Sequence, residues 1–103
     1  MAIEVIWSPQ ARRDLLDIYV IIGLDNPAAA ERLCSAIETK ANALGHFPGL
    51  GRRRPEIRPS VRMLVERPYL ILFETRPDTD EGQIDQVEIV RVVDGRRDLT
   101  NLF

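Results

Sequence analysis

The sequence predicts an α+β fold in which an N-terminal strand and a helical hairpin pack on a small, largely antiparallel β-sheet. Two helix-start signals, Ser8-Pro9 and Asn26-Pro27, each precede an apolar repeat with helical spacing. Apolar stretches typical of strands fill the second half of the chain, where short links favour antiparallel pairing. Because the chain has 103 residues, 45% of them hydrophobic, we assign residues 1–103 to a single domain.

The first half of the chain is predicted to form one strand and two helices. Residues 3–7 alternate and contain β-branched side chains, which favours a short strand. The first helix begins at Pro9, with Ser8 as its N-cap, and runs to about Leu24. The second begins at Pro27, and its apolar stripe contains Ala30, Leu33, Cys34, Ile37, Ala41 and Leu44. The short connection between the helices predicts an antiparallel hairpin.

The second half is predicted to form three strands and to end in a short helical turn. Residues 52–61 form an arginine- and proline-rich loop, and residues 76–83 form an acidic hairpin loop. The strands cover residues 62–66, 69–75 and 84–93. The nearly continuous apolar run at 69–75 is typical of a central strand covered on both faces. Residues 98–103 are predicted to form one terminal helical turn, docked by Leu99, Leu102 and Phe103.

The first helix carries apolar residues on two opposite sides. The stripe predicted to face the core contains Ala11, Leu15, Ile18, Tyr19 and Ile22. The opposite stripe contains Leu16, Val20 and Leu24, with Ile21 nearby. A surface helix needs only one apolar stripe, and a chain of 103 residues has little protein with which to cover a second. We therefore predict that the second stripe docks another chain.

The composition argues against several classes of protein. The net charge of −2 does not indicate a nucleic-acid binder. No apolar run approaches the roughly 18 residues that a membrane span requires, and the N-terminus lacks the layout of a secretory signal. The single Cys34 excludes an internal disulfide and fits a reducing cytoplasm. One cysteine and one histidine do not supply the usual zinc ligands, so we expect no metal. We also expect no cofactor and no membrane partner.

The charges are unevenly distributed, and almost all of the basic residues are arginine. Six arginines lie at positions 52, 53, 54, 58, 62 and 67, against Glu56 and Glu66 only. Five acidic residues without a basic neighbour among them follow at positions 78, 80, 81, 85 and 88. Arginine suits both carboxylates and phosphates. The arginines at 52–54 could therefore bind an acidic segment of a partner or a phosphate backbone, or could simply be solvated.

Short segments spread along the chain carry a family resemblance. They are WSPQA at 7–11, DLLDIY at 14–19, NPAAA at 26–30, FPGLGR at 47–52, RML at 62–64, YLILF at 69–73 and VRVVDGRRDL at 90–99. In this order and spacing the chain resembles the ParE toxins of the RelE/ParE superfamily, the toxin halves of bacterial type II toxin–antitoxin pairs. The resemblance covers essentially the whole chain and implies the same α+β topology.

The resemblance also implies partners. It implies a ParD-like antitoxin with a DNA-binding N-terminal domain and a C-terminal segment that folds onto the toxin, so that operator DNA is contacted only through the antitoxin. ParE-type toxins are associated with poisoning DNA gyrase and blocking replication, whereas RelE-type relatives cut messenger RNA on the ribosome. The chain departs from the family pattern at Val20 and Ile21, which are aliphatic where the family often has polar or aromatic residues.

No catalytic residues are predicted. RelE-type enzymes use lysine and arginine together with a tyrosine near the C-terminus, and this chain has Phe103 there, which has no proton to donate. Arg91, Arg96 and Arg97 could stabilise phosphate charge, but arginine is a poor base because it stays protonated. We therefore expect a toxin that acts by binding; the alternatives are a ribosome-dependent endoribonuclease and a non-toxic member kept for complex formation.

The site predictions follow from these patterns. The residues predicted to bind the antitoxin are Arg13, Leu16, Val20, Leu24, Arg52 and Arg53. The residues predicted to bind the target are Arg91, Arg96, Arg97 and Phe103. Three aromatic residues are interpreted as core, namely Trp7, Tyr69 and Phe73, and Cys34 as an inert core thiol. Asp14 and Asp17 are interpreted as solvated partners of Arg12 and Arg13.

Overall fold

A computed structural model describes residues 3–103 and gives the predicted order of elements through the last strand, with one additional strand. The N-terminal half contains β1 (Glu4–Trp7), α1 (Pro9–Gly23) and α2 (Pro27–Asn42), followed by short 3₁₀ turns at Ala43–Gly45 and Pro48–Leu50. The C-terminal half contains β2 (Arg52–Arg53), β3 (Arg62–Glu66), β4 (Tyr69–Arg76) and β5 (Gln86–Asp94). Residues 1 and 2 of the predicted domain lie outside the described residues.

The two helices begin as predicted. The Ser8 hydroxyl accepts a hydrogen bond from the Ala11 amide at 3.0 Å, and the Asn26 side chain accepts one from the Ala29 amide at 3.0 Å. Proline occupies the first turn of both helices, where its missing N–H costs nothing. Cys34 lies against the Leu15 carbonyl, and Ala30 lies against Gly23. The contact later in α1 is made by the earlier residue of α2, so the two helices run antiparallel and form the predicted hairpin.

The sheet has five strands in the order β1-β5-β4-β3-β2. β1 pairs with β5 in parallel, and the other three pairings are antiparallel, so the sheet is mixed but largely antiparallel, as predicted. The additional strand, β2, lies within the predicted loop 52–61. It has two residues and is a strand only through its pairing with β3, in which Arg52 lies opposite Met63 and Arg53 lies opposite Arg62. A strand this short leaves no periodic pattern in the sequence.

The sheet is covered on both faces. On one face the helices contribute Ala11, Ile18, Cys34, Ile37, Ala41 and Leu44, which pack against Leu64, Ile71, Phe73, Val87 and Ile89. On the other face Leu70, Leu72 and Val93 are covered by residues outside the helices, namely Val61, Ile57, Leu99 and Leu102. The central position of β4 is therefore confirmed. Phe73 and Cys34 are buried as predicted, and Trp7 and Tyr69 pack partly buried against the same core.

Three local predictions are wrong. Residues 98–103 form no helix; instead, the Asp98 carboxylate accepts the Thr100 amide at 3.0 Å and makes a short turn, because an aspartate side chain competes with helical hydrogen bonding. Leu102 does dock as predicted, but Phe103 is exposed. Tyr19, predicted on the core stripe, is 41% exposed. It lies at the border of the buried face of α1, where α2 covers Ile18 more completely.

Within residues 3–103, no helix is both long enough and apolar enough to cross a membrane.

Candidate functional site

The outward side of α1 and its C-cap present four exposed aliphatic side chains, which we call the outer ridge: Leu16, Val20, Ile21 and Leu24. These four side chains are between 51% and 81% exposed. The opposite side of α1 is buried through Ala11, Asp14 and Ile18. A cluster of large apolar side chains left in water is typical of a protein interaction surface. The predicted second stripe of the helix is therefore confirmed as a solvent-facing surface, and Arg13 lies exposed on the same helix.

A cleft between α1 and α2 adjoins the outer ridge through Leu16. Its volume is about 290 Å³, and its apolar lining comes from Trp7, Leu15, Leu16, Tyr19 and Cys34, with Arg12 and Glu38 as charged neighbours. Burial raises the pKa of the Cys34 thiol, and nearby Glu38 adds to the shift. The thiol therefore stays protonated and serves as part of an apolar floor. Tyr19, Trp7 and Glu38 were not predicted here, because only the docking of α2 brings them together.

β2 lies at the far edge of the sheet from α1, so the predicted antitoxin-binding residues are divided between two places. α1 packs on β5, whereas β2 is the last strand beyond β4 and β3. Leu16, Val20 and Leu24 belong to the outer ridge, and Arg52 and Arg53 belong to the opposite edge.

Arg53 binds an acidic segment of its own chain. Its Nη2 donates to Asp78 at 2.7 Å and its Nε donates to Asp80 at 2.8 Å. Both carboxylates belong to the loop between β4 and β5, residues 77–85, which we call the β4–β5 loop. The hydrogen bond from Arg53 lowers the pKa of Asp78, and its bonds to Asp78 and Asp80 raise the pKa of Arg53. The acidic run thus folds back on the basic run, an arrangement that the sequence left open.

Asp14 forms a buried ion pair with Arg91. The Asp14 carboxylate, 8% exposed, accepts Arg91 Nε at 2.8 Å, Arg91 Nη2 at 3.2 Å and the Val92 amide at 2.9 Å. The interpretation of Asp14 as a solvated partner of Arg12 and Arg13 is therefore wrong. The reason is that β1 ends at Trp7, so the backbone N–H groups of β5 beyond that point have no strand partner and need another acceptor. The Asp14 carboxylate on α1 is that acceptor for the Val92 amide.

The predicted target-binding residues are in different environments. Arg91 is engaged inside the fold, since its Nη1 also donates to the Leu102 carbonyl at 3.2 Å. Arg96 and Arg97 are exposed after β5, and Arg96 pairs with Asp94 at 2.6 Å. This hydrogen bond lowers the pKa of Asp94 to about 2. The exposed Phe103 ring lies 4.9 Å from the Arg58 guanidinium carbon, a cation–π contact.

A match to a protein-family model identifies the family of this chain. The model for the ParE toxin of the type II toxin–antitoxin system, parDE, matches residues 5–99, which include every helix, nearly all of β1 and the other four strands. The chain belongs to the ParE toxin family. The outer ridge, the adjoining cleft and the β4–β5 loop all lie within the matched region. The ParE-type resemblance drawn from short segments is therefore confirmed over the whole fold.

Three relatives carry toxin names, and one of them is named as a ParE toxin. Y4kP of Sinorhizobium fredii is 36% identical over 76 residues, covering 72% of this chain and 77% of Y4kP. Toxin ParE3 of Caulobacter vibrioides is 33% identical over 63 residues, 61% of this chain, and the match spans only 56% of ParE3. Toxin RelE2 of the same organism is 31% identical over 70 residues, covering 68% of this chain and 77% of RelE2.

A solved structure shares the ParE-type fold described above. A chain from the chromosomal ParDE TA system of P. aeruginosa superposes with a TM-score of 0.71 and 25% sequence identity. The superposition covers 90% of this chain and 96% of the other. The predicted α+β class is therefore confirmed, and the chain is a ParE-type toxin of a type II toxin–antitoxin system. Among residues 3–103, no group of three or more His, Cys, Asp or Glu side chains is arranged to hold a metal ion.

Proposed function

We propose that this ParE-type toxin acts by binding DNA gyrase and that a ParD-like antitoxin neutralises it by docking on the outer ridge. The observation that carries the antitoxin proposal is the exposure of Leu16, Val20, Ile21 and Leu24 on a helix whose other side packs on α2 and β5. Family membership and the ParDE structural neighbour support it. On this proposal operator DNA is reached only through the antitoxin, and the complex works in the cytoplasm.

The outer ridge suits an amphipathic helix of the antitoxin. Residues 16, 20 and 24 are four apart and line one side of α1, the pattern that a partner helix with its own apolar stripe would cover. Burial of apolar surface is worth about 25 cal/mol per Å², so covering four aliphatic side chains gives a large part of a stable interface. The cleft beside Leu16 would accept one large apolar side chain of the antitoxin as an anchor.

Charge around the outer ridge would set the orientation of the antitoxin. Arg12 and Arg13 are exposed toward the start of α1, and Glu38 lies on the α2 side of the cleft. We expect acidic antitoxin residues near the two arginines and a basic residue near Glu38, because such complementarity steers association and fixes register. Arg52 would form a second contact region, reached by a separate stretch of the antitoxin, and Arg53 would join it only where the β4–β5 loop releases its donors.

Antitoxin docking is tested with matched aspartate substitutions. Affinity for the co-encoded small protein is measured by calorimetry for the wild type, Val20→Asp and Leu50→Asp. Val20 is on the outer ridge, whereas Leu50 is equally exposed on the 3₁₀ turn after α2. We expect Val20→Asp to weaken binding at least 100-fold, which corresponds to one hot-spot residue, and Leu50→Asp to leave it unchanged. Equal affinities for both variants would show that the antitoxin docks elsewhere.

The gyrase proposal rests on family analogy and on the surface after β5. Arg96, Arg97 and Phe103 are exposed there and none of them belongs to the outer ridge, so we propose that they contact the target. Purified toxin is expected to inhibit supercoiling by gyrase and to trap cleaved DNA. Supercoiling that continues unchanged, together with messenger RNA cut on ribosomes, would replace this proposal with the endoribonuclease. Harmless induction without the antitoxin would indicate a non-toxic member.

A further inference from the structure

Two arginines lie directly opposite each other across the β2–β3 pairing. Arg53 on β2 is the register partner of Arg62 on β3. Like charges in this position repel each other. The Arg62 side chain is only 5% exposed, so water cannot solvate its charge fully. This arginine pair therefore requires an anion, which makes it different from an ordinary solvated basic surface.

The β4–β5 loop supplies anionic groups to the pair from within the chain. Arg53 donates to Asp78 and Asp80, and Arg62 Nη2 donates to the Thr79 carbonyl at 2.7 Å. The same Nη2 lies 3.5 Å from Asp78 Oδ1 and 3.5 Å from Asp80 Oδ1. Two carboxylates thus converge on one nitrogen and repel each other as they neutralise the arginines.

The two carboxylates leave part of the donor set unused. Arg62 Nε is buried and has no hydrogen-bond partner within the part of the chain that the structure describes. A buried donor without an acceptor is costly, and such groups are rare in folded proteins. Arg53 Nε and Nη2 bind the carboxylates of the loop, and Arg62 Nη2 binds the Thr79 carbonyl, so Arg62 Nε alone among these four nitrogens has no acceptor.

We propose that the Arg53–Arg62 pair is a phosphate-binding site, which the β4–β5 loop occupies in cis through Asp78 and Asp80. A phosphate group brings several acceptor oxygens on one centre, and the fork of an arginine side chain binds such oxygens in pairs. One phosphate would replace two mutually repelling carboxylates and offer an oxygen to Arg62 Nε. Asp78 and Asp80 are both exposed and neither core cluster contains residues 77–83, so this part of the loop can withdraw while Ile84 stays in the helix-side core.

The charges at the pair favour an anion once the loop withdraws. Arg53 and Arg62 are matched by Asp78 and Asp80. Without the two aspartates an excess of two positive charges remains. The phosphate could come from a nucleic-acid backbone or from free phosphate, and the chemistry at the arginines is the same.

The test removes the competing carboxylates without removing the arginines. Inorganic phosphate is titrated against the full-length wild type, Asp78→Asn/Asp80→Asn and, as a matched control from the same loop, Glu81→Gln. Because exposed ion pairs are individually weak, we expect the double variant to bind phosphate about tenfold more tightly than the wild type, and the control to match the wild type. Equal binding by the double variant and the control would overturn the proposal.

A second substitution establishes which arginine holds the phosphate. In the Asp78→Asn/Asp80→Asn background, Arg53→Gln is expected to abolish binding, whereas Arg52→Gln on the same strand leaves it in place. Circular dichroism confirms that each variant is folded, and Asp80→Asn alone replaces the double variant if that one unfolds. Phosphate binding that survives Arg53→Gln contradicts the site.

A third arm identifies the source of the phosphate. A ten-nucleotide single strand is compared with inorganic phosphate at increasing salt. Much tighter oligonucleotide binding with a steep salt dependence assigns the site to a nucleic-acid backbone, and equal binding assigns it to free phosphate. Both outcomes support phosphate chemistry. Capture of an acidic peptide by the double variant without any phosphate binding would instead show a peptide site. None of these measurements depends on the target of the toxin.

Discussion

Asp14 and Arg91 are 77 positions apart in sequence and share two hydrogen bonds of 2.8 and 3.2 Å between α1 and β5. The same carboxylate accepts the Val92 amide, and Arg91 continues to the Leu102 carbonyl. This one carboxylate ties α1 to the strand edge that β1 does not reach. It thereby fixes the rotation of α1 about its axis and keeps the outer ridge in solvent.

Asp14→Asn should destabilise the protein strongly, by about 3 kcal/mol, because it leaves Arg91 as a buried cation without its counter-charge. Urea denaturation measures the free energy of unfolding. Asp17→Asn is the control, since Asp17 is exposed on the same helix, and it should change stability by no more than about 0.5 kcal/mol. Similar values for the two variants would mean that the ion pair contributes little.

Gly51→Ala should destabilise the fold because there is no room for a methyl group. A Cβ at Gly51 would lie 2.3 Å from the Phe73 ring, which is fully buried in the helix-side core. We expect a loss of about 2 kcal/mol, typical of overpacking. Gly49→Ala, two residues earlier, would meet no atom within 4 Å and serves as the control. Thermal denaturation distinguishes the two; a stable Gly51→Ala variant would contradict the close packing at this site.

The Asp94–Arg96 pair should make the free energy of unfolding depend on pH in the acid range only. The folded-state pKa of Asp94 is lowered to about 2 from its ordinary value of 3.8. A lowered carboxyl pKa stabilises the fold above the ordinary value, and this contribution is lost as pH falls from about 4 to about 2. Arg96→Gln should raise the pKa of Asp94 toward 3.8, followed by NMR titration of its carboxyl carbon. Arg97→Gln should leave it low; an equal rise in both variants would refute the pairing.

Leu102→Ala should destabilise the protein by about 2 kcal/mol, because Leu102 fills the second core cluster beside Val61, Leu70 and Val93. Phe103→Ala should cost little, since that ring is exposed. The comparison of unfolding free energies shows whether the C-terminal segment is part of the fold. If Phe103→Ala nevertheless abolishes toxicity while stability is kept, the exposed ring contacts the target.

The helical hairpin could be predicted because its signals are local. Ser8 and Asn26 each bond to an amide three residues ahead, and the prolines that follow them start the helices. The outer ridge was visible for the same reason, since side chains four apart on one helix must share a side. The run at Tyr69–Thr75 predicted a central strand because a strand covered on both faces has no polar side to alternate with.

The remaining features depend on partners distant in sequence. Asp14 and Asp17 are both aspartates of the first helix, and the sequence does not distinguish their environments. Only the position of the β5 edge decides that Asp14 is buried. Likewise Arg53 and Arg62 belong to an arginine-rich run whose meaning the sequence left open, until the β4–β5 loop folds onto them. Local periodicity determines which elements form and which sides are apolar. The tertiary structure decides which charges meet, because ion pairing depends on distances across the sheet that no spacing along the chain encodes.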